Sequence, residues 1–115
     1  MTEILRTVNL EEGLPTTVQA RTLLLSELQR ARTSGVRVLK LIHGYGSSGV
    51  GGDLRLSLQS LLRQMADRKE IQECIFGEDF AMGDERAWML VKRFPQLKQD
   101  RDFGKKNRGI TIVVL

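Results

Sequence analysis

The apolar positions of this chain fall into short strand-like runs separated by stretches with a helical period. Residues 4–10 read as a strand, with Ile4, Val8 and Leu10 on one face and Arg6 interrupting it. Glu11-Glu12-Gly13-Leu14-Pro15 reads as a turn. Thr16 then predicts a helix N-cap, and Gln19 completes a capping box with it. The helix runs to about Thr33, with Val18, Thr22, Leu25 and Leu28 as its apolar face, widened by Leu24 and Ala31. Ser34-Gly35 stops it. Residues 36–42 are nearly continuous in apolar side chains, as a central parallel strand is.

A second helix is expected from an N-cap at Asp53. Leu54, Leu58, Leu61, Leu62 and Met65 form one apolar stripe on it, and Arg68-Lys-Glu70 ends it. Ile71 to Phe76 reads as a third strand. Residues 78–109 are polar and irregular, apart from a helix over Asp84–Arg93. Ala87, Trp88, Val91 and Phe94 would dock that helix on the core, and Pro95 ends it. Gly109-Ile-Thr-Ile-Val-Val-Leu115 is a terminal strand. There is no internal repeat.

The order is β-α-β-α-β-(helical insert)-β. Right-handed crossovers place the two main helices on one face of the sheet. The expected fold class is therefore α/β (an α+β two-layer sandwich): a mixed four-stranded sheet, strands 1 to 3 parallel, with the insert leaving the last free to run antiparallel. At 115 residues the chain is expected to be one domain, 1–115, with an inserted segment at about 78–108. Aromatic content is only 5%, so the core should be mainly Leu, Val and Ile.

A formal net charge of +4 and a pI of about 9.6 favour an anionic partner such as nucleic acid. The single cysteine, Cys74, excludes an internal disulfide, and it reads as a small core residue rather than a nucleophile. The N-terminus lacks the features of a signal peptide. No apolar run approaches the roughly 18 residues of a membrane span. The expectation is a cytoplasmic protein without a membrane partner.

Residues 43–52 hold five of the eleven glycines and the only histidine. A Gly-rich turn between strand and helix lets backbone N–H groups approach a ligand closely, and phosphate suits the helix N-terminus that follows. The expected topology gathers further chemistry at the carboxyl ends of the strands. Glu11 and Glu12 end the first strand, His43 the second, and Glu78 and Asp79 the third. Lys105, Lys106, Asn107 and Arg108 precede the last.

The segment Leu39-Lys-Leu-Ile-His43-Gly-Tyr-Gly46, followed by the Gly-rich turn and Leu54-Arg55, resembles the His-Gly-x-Gly signature of the small MutS-related (Smr) domain. Gly109-Ile-Thr-Ile-Val-Val resembles that family's terminal strand. The resemblance implies a fold like the C-terminal domain of translation initiation factor 3, here standing alone. It implies binding of structured or branched DNA or RNA, and in some members nicking or RNA-cleaving endonuclease activity. The family's first strand ends in Leu-Asp-x-His-Gly. Here Val8-Asn9-Leu10-Glu11-Glu12-Gly13 stands instead, with Asn9 in place of the Asp and Glu11 or Glu12 in place of the His.

Three readings follow. In the first, Gly44, Gly46, Gly49 and Gly51 offer N–H groups to phosphates. Ser47, Ser48 and Arg55 lie in the same contact surface, Lys105, Lys106, Asn107 and Arg108 add a basic cluster, and Tyr45 stacks on an unpaired base. In the second, His43 with Glu11 or Glu12 is the catalytic set of an endonuclease. Mg²⁺ or Mn²⁺ would then assist, with His43 bracing the glycine turn as the alternative to direct catalysis. In the third, the nuclease site is lost and the insert, with Met82 and Trp88, serves protein interaction. A P-loop enzyme is disfavoured, because the Gly-Lys-Ser/Thr ending is missing.

Overall fold

The computed structural model describes residues 4–13, 15–44 and 51–115. Four strands form one mixed sheet: β1 (Leu5–Asn9), β2 (Val38–Ile42), β3 (Glu73–Phe76) and β4 (Ile110–Val114). Their order is β1-β2-β4-β3. β1 pairs parallel with β2, while β4 runs antiparallel to both β2 and β3. Strands 1 to 3 therefore point the same way, as expected, and the last strand inserts between β2 and β3. The two central strands are buried along nearly their whole length, whereas β1 and β3 are edges.

Helix α1 (Thr17–Thr33) starts where the capping box predicts. Thr16 Oγ1 accepts from the Gln19 N–H at 3.1 Å, and Gln19 Oε1 accepts from the Thr16 N–H at 2.9 Å. Its buried face differs from the expected one. Ala20, Leu24, Leu28 and Ala31 face the sheet, while Val18 and Leu25 are exposed. Three consecutive leucines, 23 to 25, point in three directions, so local period alone does not choose among them. The small alanines at 20 and 31 let the helix lie close to the strands.

Helix α2 (Gly51–Asp67) begins two residues before the expected cap, so Asp53 lies in its first turn rather than at its N-cap. A carboxylate there still favours the helix through the dipole. Leu54, Leu58, Leu62 and Met65 are buried on one stripe. Each fully buried side chain of this size stabilises by roughly 1.5–3 kcal/mol before entropy is counted. Helices α1 and α2 share one core with Val8, Leu39, Leu41, Cys74 and Val113, on one face of the sheet. Burial raises the Cys74 thiol pKa, which suits a core residue.

The insert covers the opposite face, so the sheet is sandwiched rather than half open. Helix α3 (Glu85–Arg93) is capped by Asp84, whose Oδ1 accepts from the Ala87 N–H at 3.0 Å. Pro95 ends it and opens a short 3-10 helix, Pro95–Gln99. Phe80, Ala87, Val91, Phe94 and Leu97 pack there against Val38, Ile75, Ile110, Ile112 and Val114. Trp88 is partly buried against this second core, and Met82 and Met89 are exposed.

Candidate functional site

The parallel pairing of β1 with β2 brings their carboxyl ends side by side. Leu10 N–H continues the ladder by donating to the Ile42 carbonyl at 2.7 Å. Asn9, where the Leu-Asp-x-His-Gly pattern has an Asp, shapes the turn that follows. Its Oδ1 accepts from the N–H of Glu11 at 2.9 Å and of Glu12 at 3.0 Å. This turn sends the Glu11 side chain over Gly44. A Cβ at Gly44 would lie 2.3 Å from Glu11 Oε2, which could swing aside, but φ of +77° favours glycine there whatever the space.

His43 sits at the end of β2 with 1% of its surface exposed. Its Nδ1 lies 2.8 Å from the Gly44 carbonyl, which only accepts, so Nδ1 carries the proton. Its Nε2 lies 2.9 Å from Thr111 Oγ1 on β4 and accepts the hydroxyl proton. Burial lowers the imidazole pKa. The Gly44 hydrogen bond raises it, Arg55 lowers it, and Glu11 and Glu78 raise it; the net direction is down. The ring is therefore neutral at neutral pH, and both nitrogens are committed to the protein.

The β4 end closes the site. The N–H groups of His43 and Gly44 both donate to the Gly109 carbonyl, at 2.9 and 3.0 Å. That places the exposed Arg108 next to the junction where the glycine stretch begins. Lys105 and Lys106 are exposed on the same loop. Asn107 has an internal role: its Nδ2 donates to Asp102 Oδ1 at 3.0 Å, and its Oδ1 accepts the Gly109 N–H at 2.8 Å. Gly77, just after β3, permits a close backbone approach, since a Cβ there would lie 1.8 Å from the Asn107 carbonyl oxygen.

From α2, Arg55 reaches Glu78 at 3.6 Å. Arg55 Nε, Glu78 Oε1 and Gln59 Nε2 are buried and have no hydrogen-bond partner among the described residues, so polar capacity is concentrated on this flank of the site. Asp79 faces away and pairs with Arg86 at 3.9 Å. Glu12 is exposed, and its N–H is engaged by Asn9. Tyr45, Gly46, Ser47, Ser48 and Gly49 lie outside the described residues, and Gly51 is described only as the first residue of α2.

No group of three or more His, Cys, Asp or Glu among the described residues is placed to hold a metal ion. With both His43 nitrogens engaged, the described residues offer no free imidazole nitrogen for the divalent ion that a metal-assisted nuclease would use. Sequence reasoning missed Thr111, Gln59 and, most of all, Lys40. A single charge inside the run Val-Leu-Lys-Leu-Ile was itself a signal that a counter-charge must come from elsewhere.

A sequence model of the Smr domain matches residues 13–78, more than half of the chain. The chain belongs to the Smr domain family. Among solved structures it is similar to the Smr domain of Thermus thermophilus MutS2, with a TM-score of 0.59 and 24% identity over 96% of each chain. That likeness supports the fold. No match is found among curated proteins. Smr domains generally bind nucleic acids, and the family is known for nicking endonuclease activity. No helix among the described residues of this Smr domain is long and apolar enough to cross a membrane.

Proposed function

We propose that this Smr domain binds the sugar-phosphate backbone of structured or branched DNA or RNA at the carboxyl edge of its sheet. The observation that carries the reading is the Gly109 carbonyl, which accepts from both His43 and Gly44 and so joins the glycine stretch to the basic loop. The cations Lys105, Lys106 and Arg108 then lie beside the start of that stretch, where they can meet a phosphate track. Against expectation the Gly44 N–H is not among the phosphate donors, because the Gly109 carbonyl takes it. Arg55 supplies a further cation at the start of α2. In this reading His43 braces the turn, and Tyr45 stacks on an unpaired base.

The engagement of His43 supports the binding reading. The His43 nitrogens that would move a proton or hold an ion are occupied by Gly44 and Thr111. Glu11 remains an exposed carboxylate over Gly44.

Fluorescence anisotropy with a labelled DNA four-way junction and an RNA hairpin tests the reading. Affinity should fall steeply as salt rises, with a log–log slope of about −0.9 per phosphate neutralised on duplex DNA. Absence of binding to either probe at low salt would overturn it. Incubation of the same probes with Mg²⁺ or Mn²⁺ should leave them intact, and metal-dependent nicking that is lost in Glu11→Gln would favour the endonuclease reading instead.

A further inference from the structure

Lys40 stands in the middle of β2 with 4% of its surface exposed, on the face covered by the insert. A buried cation needs pairing. Its Nζ lies 2.8 Å from Asp100 Oδ1 and 2.5 Å from Asp102 Oδ2, both on side chains that are themselves largely buried. These two acids open the loop from Asp100 to Gly109, and they also organise it. Asp100 Oδ1 accepts the Asp102 N–H at 2.9 Å. Asp102 Oδ1 holds Asn107, and Asn107 holds the Gly109 N–H. The Gly109 carbonyl in turn holds the N–H groups of His43 and Gly44. One connected set of bonds thus runs from a buried ammonium to the start of the glycine stretch.

Two further contacts fix the same loop. Gly104 N–H donates to the Phe80 carbonyl at 2.8 Å, and the Phe103 ring meets Phe80 edge-on at 5.0 Å between centroids. Lys106 is held at φ of 56°, a left-handed conformation that a non-glycine residue keeps only when its surroundings impose it. The loop carries two acids and four bases: Asp100 and Asp102 against Arg101, Lys105, Lys106 and Arg108. Both acids turn inward onto Lys40, and all four bases are exposed.

We propose that Lys40 is a positioning residue: it anchors residues 100–109 as a pre-organised basic arm that docks on nucleic-acid phosphates beside the glycine stretch. The proposal rests on the nucleic-acid reading above. Cations ordered before binding avoid the entropic cost of ordering them on the ligand. Drawing two carboxylates onto Lys40 also removes their repulsion from the phosphate-facing side.

The test is the combined variant Lys40→Met, Asp100→Asn, Asp102→Asn, which replaces the buried ion cluster as a unit. One positive and two negative charges are lost, so the variant is more positive by one, and charge alone would tighten binding. The anchor predicts the opposite. With circular dichroism unchanged, the amides of Asp102 and Gly109 lose at least roughly tenfold in hydrogen-exchange protection. Affinity for the DNA junction falls roughly tenfold at low salt, and the salt slope shrinks by about 2 as two phosphate contacts go. Lys40→Arg, which keeps the cation, retains slope and protection.

Unchanged amide protection, or equal or tighter binding with an unchanged slope, overturns the proposal. If the wild-type protein binds neither probe while the amides loosen in the variant, the nucleic-acid reading falls and the anchor stands as a structural feature only. Should the combined variant fail to fold, the exposed triple substitution Lys105→Ser, Lys106→Ser, Arg108→Ser decides the arm: an unchanged slope there overturns it.

Discussion

Each face of the sheet buries one polar side chain from β2 or its end, and the two are solved in different ways. His43 lies on the face of α1 and α2. It is neutral, and it is satisfied by the carbonyl of the next residue and by a hydroxyl on the neighbouring strand. Lys40 lies under the insert. It is charged, and its two carboxylate partners lie about sixty residues further along the chain. A neutral ring can be housed by any two well-placed dipoles. A buried ammonium needs counter-charges, and here the insert delivers them. The insert is therefore more than a cover for the second face; it carries the ions that make this strand tolerable in a core.

This contrast sets the size of the expected effects. Lys40→Met leaves two nearly buried carboxylates facing each other, and should destabilise by about 3–5 kcal/mol in urea unfolding. If the loss is under about 1 kcal/mol, the ion cluster is not the structural centre of the second face. Gly77→Ala forces a methyl group into the Asn107 carbonyl and should cost roughly 1–3 kcal/mol by the same measurement, with the loop before β4 displaced. Thr111→Val removes one neutral partner of His43 and should cost about 1–3 kcal/mol. A Thr111→Val loss larger than that of Lys40→Met would invert the comparison.

The His43 ring and the Lys40 ammonium should lose their contributions at opposite ends of the pH scale. Asp102 adds a loss at lower pH on the Lys40 face: burial alone would raise its carboxyl pKa, but Asn107 and Lys40 lower it overall. Burial holds the His43 pKa below 6.5, so the unfolded ring takes up a proton first. Its contribution is complete above pH 6.5 and is lost as pH falls through the lowered folded value. For Lys40, burial alone would lower the pKa, but the bonds and charges of Asp100 and Asp102 outweigh it and the net direction is up. Its contribution is complete below 10.5 and is lost as pH rises through the raised folded value. Unfolding free energies across pH should show the decline that begins below pH 6.5 in the wild type and not in His43→Gln, the carboxylate loss at lower pH remaining in both. The smallest effect belongs to Thr16→Ala, which removes the cap of α1 and should cost about 1 kcal/mol.

Much of the fold was legible because its signals are local. The capping box at Thr16 and Gln19, the stripe Leu54-Leu58-Leu62-Met65 and the apolar run of β4 each encode one element within a few residues. The helical face of α1 was misread because Leu23, Leu24 and Leu25 satisfy several periods at once, and only docking on the sheet selects Leu24. Of the candidate site, the meeting of Glu11, His43 and Gly44 followed from strand direction alone. The commitment of both His43 nitrogens did not, because Thr111 is 68 residues away and reaches the ring only through the β2–β4 pairing.

The sequence by itself determined the element order, the common direction of the first three strands and the edge at which Glu11, Glu12 and His43 collect. Periodicity and turn chemistry are properties of neighbouring residues. Tertiary structure alone decided that β4 lies between β2 and β3, that the insert closes the second face, and that Asp100 and Asp102 turn inward onto Lys40. These depend on pairing a buried charge and on filling a sheet face, and both are satisfied by residues far apart in the chain.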